Sequence, residues 1–369
     1  MKKAGIIVLI VILILIIISL IQVLLMSMNG EGNIFEYMIS GKDARNENNI
    51  RKDEKIDISE IENLEFDFRD SNMNIILTDE TELRVIQYST KELEVKELFD
   101  TDRNDKTLII SEGKMKFRIV MGFWDNAYDI YIPKTYVENL KVKTASSEIY
   151  LEEDINLKKL EMDIISGDIN INSKVDIKEL DIKTTSGDVQ IEEICSEKIK
   201  IKTTSGNTRI GLIESNESEM NSISGDVKLG NVISKLNIDT KSGNIKIDAI
   251  NGESKLETVS GDVILGKLES DLKGKTTSGK VVINSIEGKI ELKTISGDVD
   301  IEEFNILKDS EVETTSGDVK IKLTDSSNCN INTKTISGDI KLPNGSSVFG
   351  KEPYNKLNIK TTSGDIKFN

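Results

Sequence analysis

From about residue 140 onward the dipeptide Ser-Gly recurs eleven times, at Ser166, Ser186, Ser205, Ser224, Ser242, Ser260, Ser278, Ser296, Ser316, Ser337 and Ser363. The steps are 20, 19, 19, 18, 18, 18, 18, 20, 21 and 26 residues, and a degenerate copy, Thr144-Ala145-Ser146-Ser147-Glu148-Ile149, lies 20 residues before the first. A fixed period of this length is the mark of a stacked repeat and constrains the fold more than any single motif does. Five residues after the Ser, all twelve copies are apolar: Leu151, Ile171, Ile191, Ile210, Leu229, Ile247, Leu265, Ile283, Ile301, Ile321, Leu342 and Phe368. Three residues after it, eleven of the twelve are Ile or Val, and two before it ten are Thr, so polar and inward positions alternate on both sides of the corner. Period-2 alternation flanking a fixed Ser-Gly describes short strands meeting at a bend, with Gly expected to supply the backbone freedom of that bend.

No 3.6-residue period appears in this region, so the expected class is all-β. The reading is a β-solenoid, a β-helix-like column of about 12 coils of 18–20 residues over 141–369, preceded by an irregular β cap over 61–140 and by a single N-terminal transmembrane helix. Each coil buries its apolar row only against the coils above and below. A thin column of this kind needs few large side chains, which accounts for a chain 37% hydrophobic and only 5% aromatic.

Residues 4–28 hold 21 hydrophobic side chains and no charge. As a helix, Ile6 to Met26 spans roughly 31 Å, the hydrocarbon thickness of a bilayer. The run exceeds the apolar region of a secretory signal, and Ser27-Met28-Asn29 is a poor cleavage site, so residues 1–28 read as an uncleaved signal anchor. Lys2 and Lys3 place the N-terminus in the cytoplasm and the repeat domain outside the cell. With about three residues before the span, a signal-relay ectodomain has little to act through. Residues 29–60 read as a polar tether.

The repeated Thr-Thr-Ser-Gly-Asp-Val-x-Ile, as in Thr184–Ile191 and Thr314–Ile321, resembles the bacterial adhesin-like β-repeat family, a domain of unknown function whose members are often exported or membrane-tethered. The resemblance extends over residues 64–369. It implies a cell-surface location and a contact role, with some members tied to cell-envelope stress, and it carries no catalytic residues or cofactor.

The chain has 48 basic and 64 acidic residues and no histidine. An acidic column repels nucleic acid, and the absence of imidazole removes His-based nucleophile pairs and zinc sites. A polysaccharide-acting enzyme built on paired carboxylates is the alternative, but such sites need long loops, and eight of the ten repeat spacings stay between 18 and 20 residues.

The residue after Ser-Gly is Asp in eight of eleven copies, with Asn207, Asn244 and Lys280 as exceptions. Turn capping is the expected role. An ion row is the competing one, with Asp298, Asp318 and Asp339 its best uninterrupted run. The Thr row reads as an internal hydroxyl ladder between coils. Cys195 and Cys329 are too far apart in the stack to pair. Six of the seventeen aromatics fall between 117 and 136; they read as cap core, with Trp124 and Tyr128 as the candidate partner platform should they be exposed. At the other end the last coil stops at Asp365-Ile366-Lys367-Phe368-Asn369, an edge open to self-association unless residues 344–354 fold over it.

Overall fold

A computed structural model describes residues 44–113 and 126–368. These residues form 28 strands in one continuous sheet, with three single turns of 3-10 helix and no other helix among them. The expected β-solenoid is present. From residue 139 to residue 323, about ten turns stack in chain order by parallel pairing.

The inward rows follow from that register. Leu140 lies opposite Leu160, Leu160 opposite Leu180, and Leu180 opposite Ile199. The row five residues after the corner Ser is buried throughout from Leu151 to Ile321 and again at Phe368, whereas Leu342 is only partly covered. Fully burying an Ile or Leu contributes about 1.5–3 kcal/mol, so the stacked rows are the column's main source of stability.

Both ends depart from chain order. At the head, 63–68 lies between 107–111 and 139–144, and 72–78 lies between 126–133 and 149–151. The expected irregular cap over 61–140 is therefore partly a coil in perfect register with the column. Outside it, Asp100–Asn104, Leu83–Ser89 and Ile50–Ile56 add antiparallel strands. The tether expected over 29–60 is corrected by these strands. Ile50–Ile56 pairs with Leu83–Ser89, Ala44 is buried, and Arg45 bonds Asp129 at 2.7 Å, so residues from 44 onward belong to the fold.

At the tail, Asn355–Lys360 pairs on one side with Ser310–Glu313 and on the other with Cys329–Lys334. Ile366–Phe368 is likewise held between Val319–Leu323 and Ile340–Lys341. The last coil in sequence is thus the second-last in space. The open edge expected at Asp365–Asn369 is corrected accordingly: it belongs to residues 329–342. Val348–Phe349 pairs antiparallel with Cys329 and Asn330 only, so the loop covers one corner of that edge.

The corner glycines are needed for space more than for backbone freedom. Only Gly167 among them has a left-handed φ, 127°. At the others a Cβ would strike the carbonyl oxygen of the preceding corner, at 1.9 Å for Gly187, 1.8 Å for Gly206 and 1.9 Å for Gly225. Stacked corners approach so closely that no side chain fits between them.

The membrane span expected at 4–28 lies outside the described residues. Among the described residues no helix is long and apolar enough to cross a membrane.

Candidate functional site

Each corner Asp or Asn except Asp339 accepts a hydrogen bond from the main-chain N–H of its counterpart in the next coil. Asp168 accepts from the Asp188 amide at 2.8 Å, Asp188 from Asn207, Asn207 from Asp226, Asp226 from Asn244, Asn244 from Asp262 and Asp262 from Lys280. Lys280 has no acceptor to offer, so the ladder stops there. It resumes as Asp298 accepts from Asp318, Asp318 from Asp365 and Asp365 from Asp339. The carboxylate row therefore caps corner amides.

Tail order also dissolves the expected ion run: Asp365 sits between Asp318 and Asp339, which are not neighbours. Among the described residues no group of three or more His, Cys, Asp or Glu side chains gathers as a metal site.

The Thr row faces inward as expected, but its bonds run mostly to glycine backbone, and among the described residues Thr144 alone meets another hydroxyl, that of Ser147. Thr258 donates to the Gly243 carbonyl at 3.2 Å, Thr276 to Gly261 and Thr361 to Gly317, each in an adjacent coil. Thr240 and Ser222 instead accept the amides of Gly243 and Gly225 in their own corners. Hydroxyl and glycine thus work as a unit, one removing bulk and the other satisfying the exposed peptide.

Tyr128 is fully buried. Its ring stacks on Phe68 at 4.1 Å between centroids, with Phe99 edge-on at 6.4 Å, and burial pushes its hydroxyl pKa well up. The partner-platform reading of Tyr128 is corrected, because the ring fills the head core. Trp124 lies outside the described residues. Both cysteines are free; Cys329 is buried, which pushes its thiol pKa up to about 11, and Cys195 is half-buried beside an open groove.

What the repeat does present to solvent is a groove of about 520 Å³ along the ladder, floored by Asp188, Asn207, Asp226 and Asn244. Its other wall is a basic row, Arg209, Lys228 and Lys246, stacked in successive coils. These three cations form no ion pair among the described residues, whereas many other lysines of the column do, as in Lys293–Glu313 at 2.8 Å and Lys367–Asp365 at 2.8 Å. Acceptors and free donors run side by side at coil spacing, about 4.8 Å. The sequence carried this signal in the basic residues four positions after the Ser, but their freedom from pairing is a tertiary fact.

Residues 61–267 and 233–369 match the family Toastrack DUF4097. Among solved structures the chain is similar to a "putative adhesin" from Parabacteroides distasonis, at 14% identity over 68% of this chain and 96% of that chain, with a TM-score of 0.46. A "putative adhesin" from Parabacteroides merdae is 15% identical over 68% and 95%, with a TM-score of 0.40. A "putative cell adhesion protein" from Clostridium sporogenes is 11% identical over 86% and 97%, with a TM-score of 0.26. No curated protein matches the chain.

Proposed function

We propose, from the premise that this chain belongs to the Toastrack DUF4097 family, that it is a non-enzymatic cell-surface column, held to the membrane by residues 4–28, that binds hydroxyl-rich envelope polymer. The observation that carries this reading is the groove in which the Asx ladder faces the unpaired Arg209, Lys228 and Lys246. A sugar hydroxyl both donates and accepts, so a polymer lying along the column satisfies both walls at each coil. The groove's charges balance, with Asp188, Asp226 and Asp262 against the three cations, which favours a neutral polymer.

The polysaccharide-acting enzyme needs a carboxylic acid with a raised pKa to protonate the leaving group. Neighbouring cations instead hold the Asp53 carboxyl, beside Arg84, and the Glu313 carboxyl, beside Lys293 and Lys360, below the usual carboxylate range.

The test is co-sedimentation of the chain with isolated cell-wall polysaccharide, beside an assay for newly released reducing ends. The reading predicts binding that falls in an Arg209→Ala, Lys228→Ala, Lys246→Ala variant, without release. Reducing-end release, or binding unaffected by the triple variant, overturns it.

A further inference from the structure

We propose that the tail of the column is a docking surface for a second copy of this chain, joined edge to edge about a two-fold axis through Ile340. Residues 329–342 form the outermost coil, and beyond Ile331 no main chain of the described residues lies against its outer side. Its side chains show the missing neighbour. Ile340 is 43% exposed, whereas its counterparts Val319 and Ile366 are fully buried, and Ile336, four residues before it across the corner, is exposed as well. A row of unpaired main-chain groups next to exposed Ile is complementary to another β edge.

The identity of that edge follows from how the two ends differ. At the head, the outermost coil is overlaid by the antiparallel strands 50–56, 83–89 and 100–104. A head-to-tail stack would have to pair this parallel edge with the differently directed antiparallel strands 50–56 and 100–104. Tail against tail matches like with like, and an interface of the same patch on both partners closes as a dimer.

Charge fixes the register. Everywhere else along its second run the ladder carboxylate receives the next coil's amide, but Asp339 bonds only through its main chain, its N–H to the Asp365 carboxylate and its carbonyl from the Ile366 N–H, and its carboxylate accepts nothing among the described residues. Lys341, two residues on and on the same face, is also unpaired. Antiparallel pairing of Ile340 with Ile340 of the second copy sets Asp339 opposite Lys341, and Lys341 opposite Asp339, so one register satisfies both charges twice. Residues 329–350 contain Lys334 and Lys341 against Asp339, so the tail escapes the acidic balance that would hold two columns apart.

This inference rests on the membrane-anchored reading for its consequence. The chain enters the column at the head, so an anchor at 4–28 leaves the tail as the far end, and a tail-to-tail pair bridges two facing membranes. The column comprises fourteen stacked coils, two out of chain order at each end of the ten, and extends roughly 62 Å at about 4.8 Å per step.

The experiment uses the full chain reconstituted in phosphatidylcholine vesicles, with a photo-crosslinking side chain at Ile336. We expect a cross-linked dimer whose peptides map to 329–350 of both copies. Asp339→Lys alone and Lys341→Asp alone each weaken pairing about tenfold, since two cross-strand charge pairs become repulsive together. An equal mixture of the two variants restores cross-linking between them, because each supplies the charge the other lacks. The absence of cross-linked dimer, cross-links to residues 50–104, or failure of the mixture to recover overturns the proposal. Vesicle clustering reads the anchor separately: dimers without vesicle association count against the membrane reading alone, and anchored chains without dimers count against this one.

Discussion

Replacing Gly225 by Ala isolates what the corner glycines do. The new Cβ would lie 1.9 Å from the Gly206 carbonyl oxygen and 3.1 Å from Ser222 Oγ. The first neighbour is backbone, fixed by parallel pairing on both sides of the corner, and must retreat by more than 1 Å before the contact is even tight. Overpacking of this kind costs about 1–3 kcal/mol, and the corner bonds of Gly225 to Ser222 weaken as it opens. The reduced freedom of the unfolded chain returns about 0.4–1 kcal/mol. The net loss is about 2 kcal/mol, a fall in urea midpoint of about 0.7–2 M for a slope of about 1–3 kcal/mol/M. Gly274→Ala is the control, because its Cβ meets only the Leu292 Cδ2 methyl, at 2.6 Å, and a leucine side chain can turn aside. Urea unfolding followed by far-ultraviolet circular dichroism should show Gly274→Ala within about 1 kcal/mol of the parent. If Gly225→Ala unfolds at or above the parent midpoint, close corner approach is not why Gly stands there.

Lys280→Asn restores an acceptor to the broken ladder for the Asp298 amide; we expect a net gain of about 0.5 kcal/mol after loss of the half-exposed Lys280–Asp300 pair, read as a raised urea midpoint. Asp226→Ala should cost about 1 kcal/mol while Asp226→Asn stays near the parent, because the amide oxygen still accepts the Asn244 N–H. Adding Ca²⁺ or a chelator should leave the melting temperature unchanged, and a clear rise with Ca²⁺ would make the Asp row a binding site after all. Hydrogen bonds from Lys293 and Lys360 lower the Glu313 pKa from 4.5 to about 2. A depressed carboxylate stabilises the fold above its unfolded value, so this contribution is complete above about pH 4.5 and is lost as pH falls toward 2. Glu313→Gln should flatten that part of the stability profile.

The regular part of the column was legible because its signal is local. Ser-Gly, the apolar row from Leu151 to Ile321 and the Thr two before the Ser all follow from one coil repeating its own environment. The ends were not legible, because insertion of 355–368 between 310–323 and 329–342 changes no residue's pattern; any coil of this repeat fits between any two others. The 26-residue step before Ser363 marks where the chain leaves the stack and returns, but a longer spacing does not say on which side. Tyr128 was ambiguous for a similar reason: alternation along Asp129–Ile132 gives a strand, and only Phe68 and Phe99, 60 and 29 residues away, decide that the ring points inward. The role of the corner glycines was likewise hidden, since a repeated Gly is compatible with either strain or proximity, and only the stacked carbonyls decide.

That residues 329–342, and not the last residues of the chain, close the stack is tested most directly by pairwise cysteine cross-linking. Lys320, Lys367 and Lys341 lie in register in three successive coils. In a Cys195→Ser, Cys329→Ala background, the pair Lys320→Cys, Lys367→Cys places neighbours about 4.8 Å apart, within disulfide reach. The pair Lys320→Cys, Lys341→Cys is two coils, about 9.6 Å, apart and out of reach. The inserted order predicts rapid intramolecular oxidation of the first pair and none of the second; the reverse result would put the coils back in chain order and remove the open edge at Ile340.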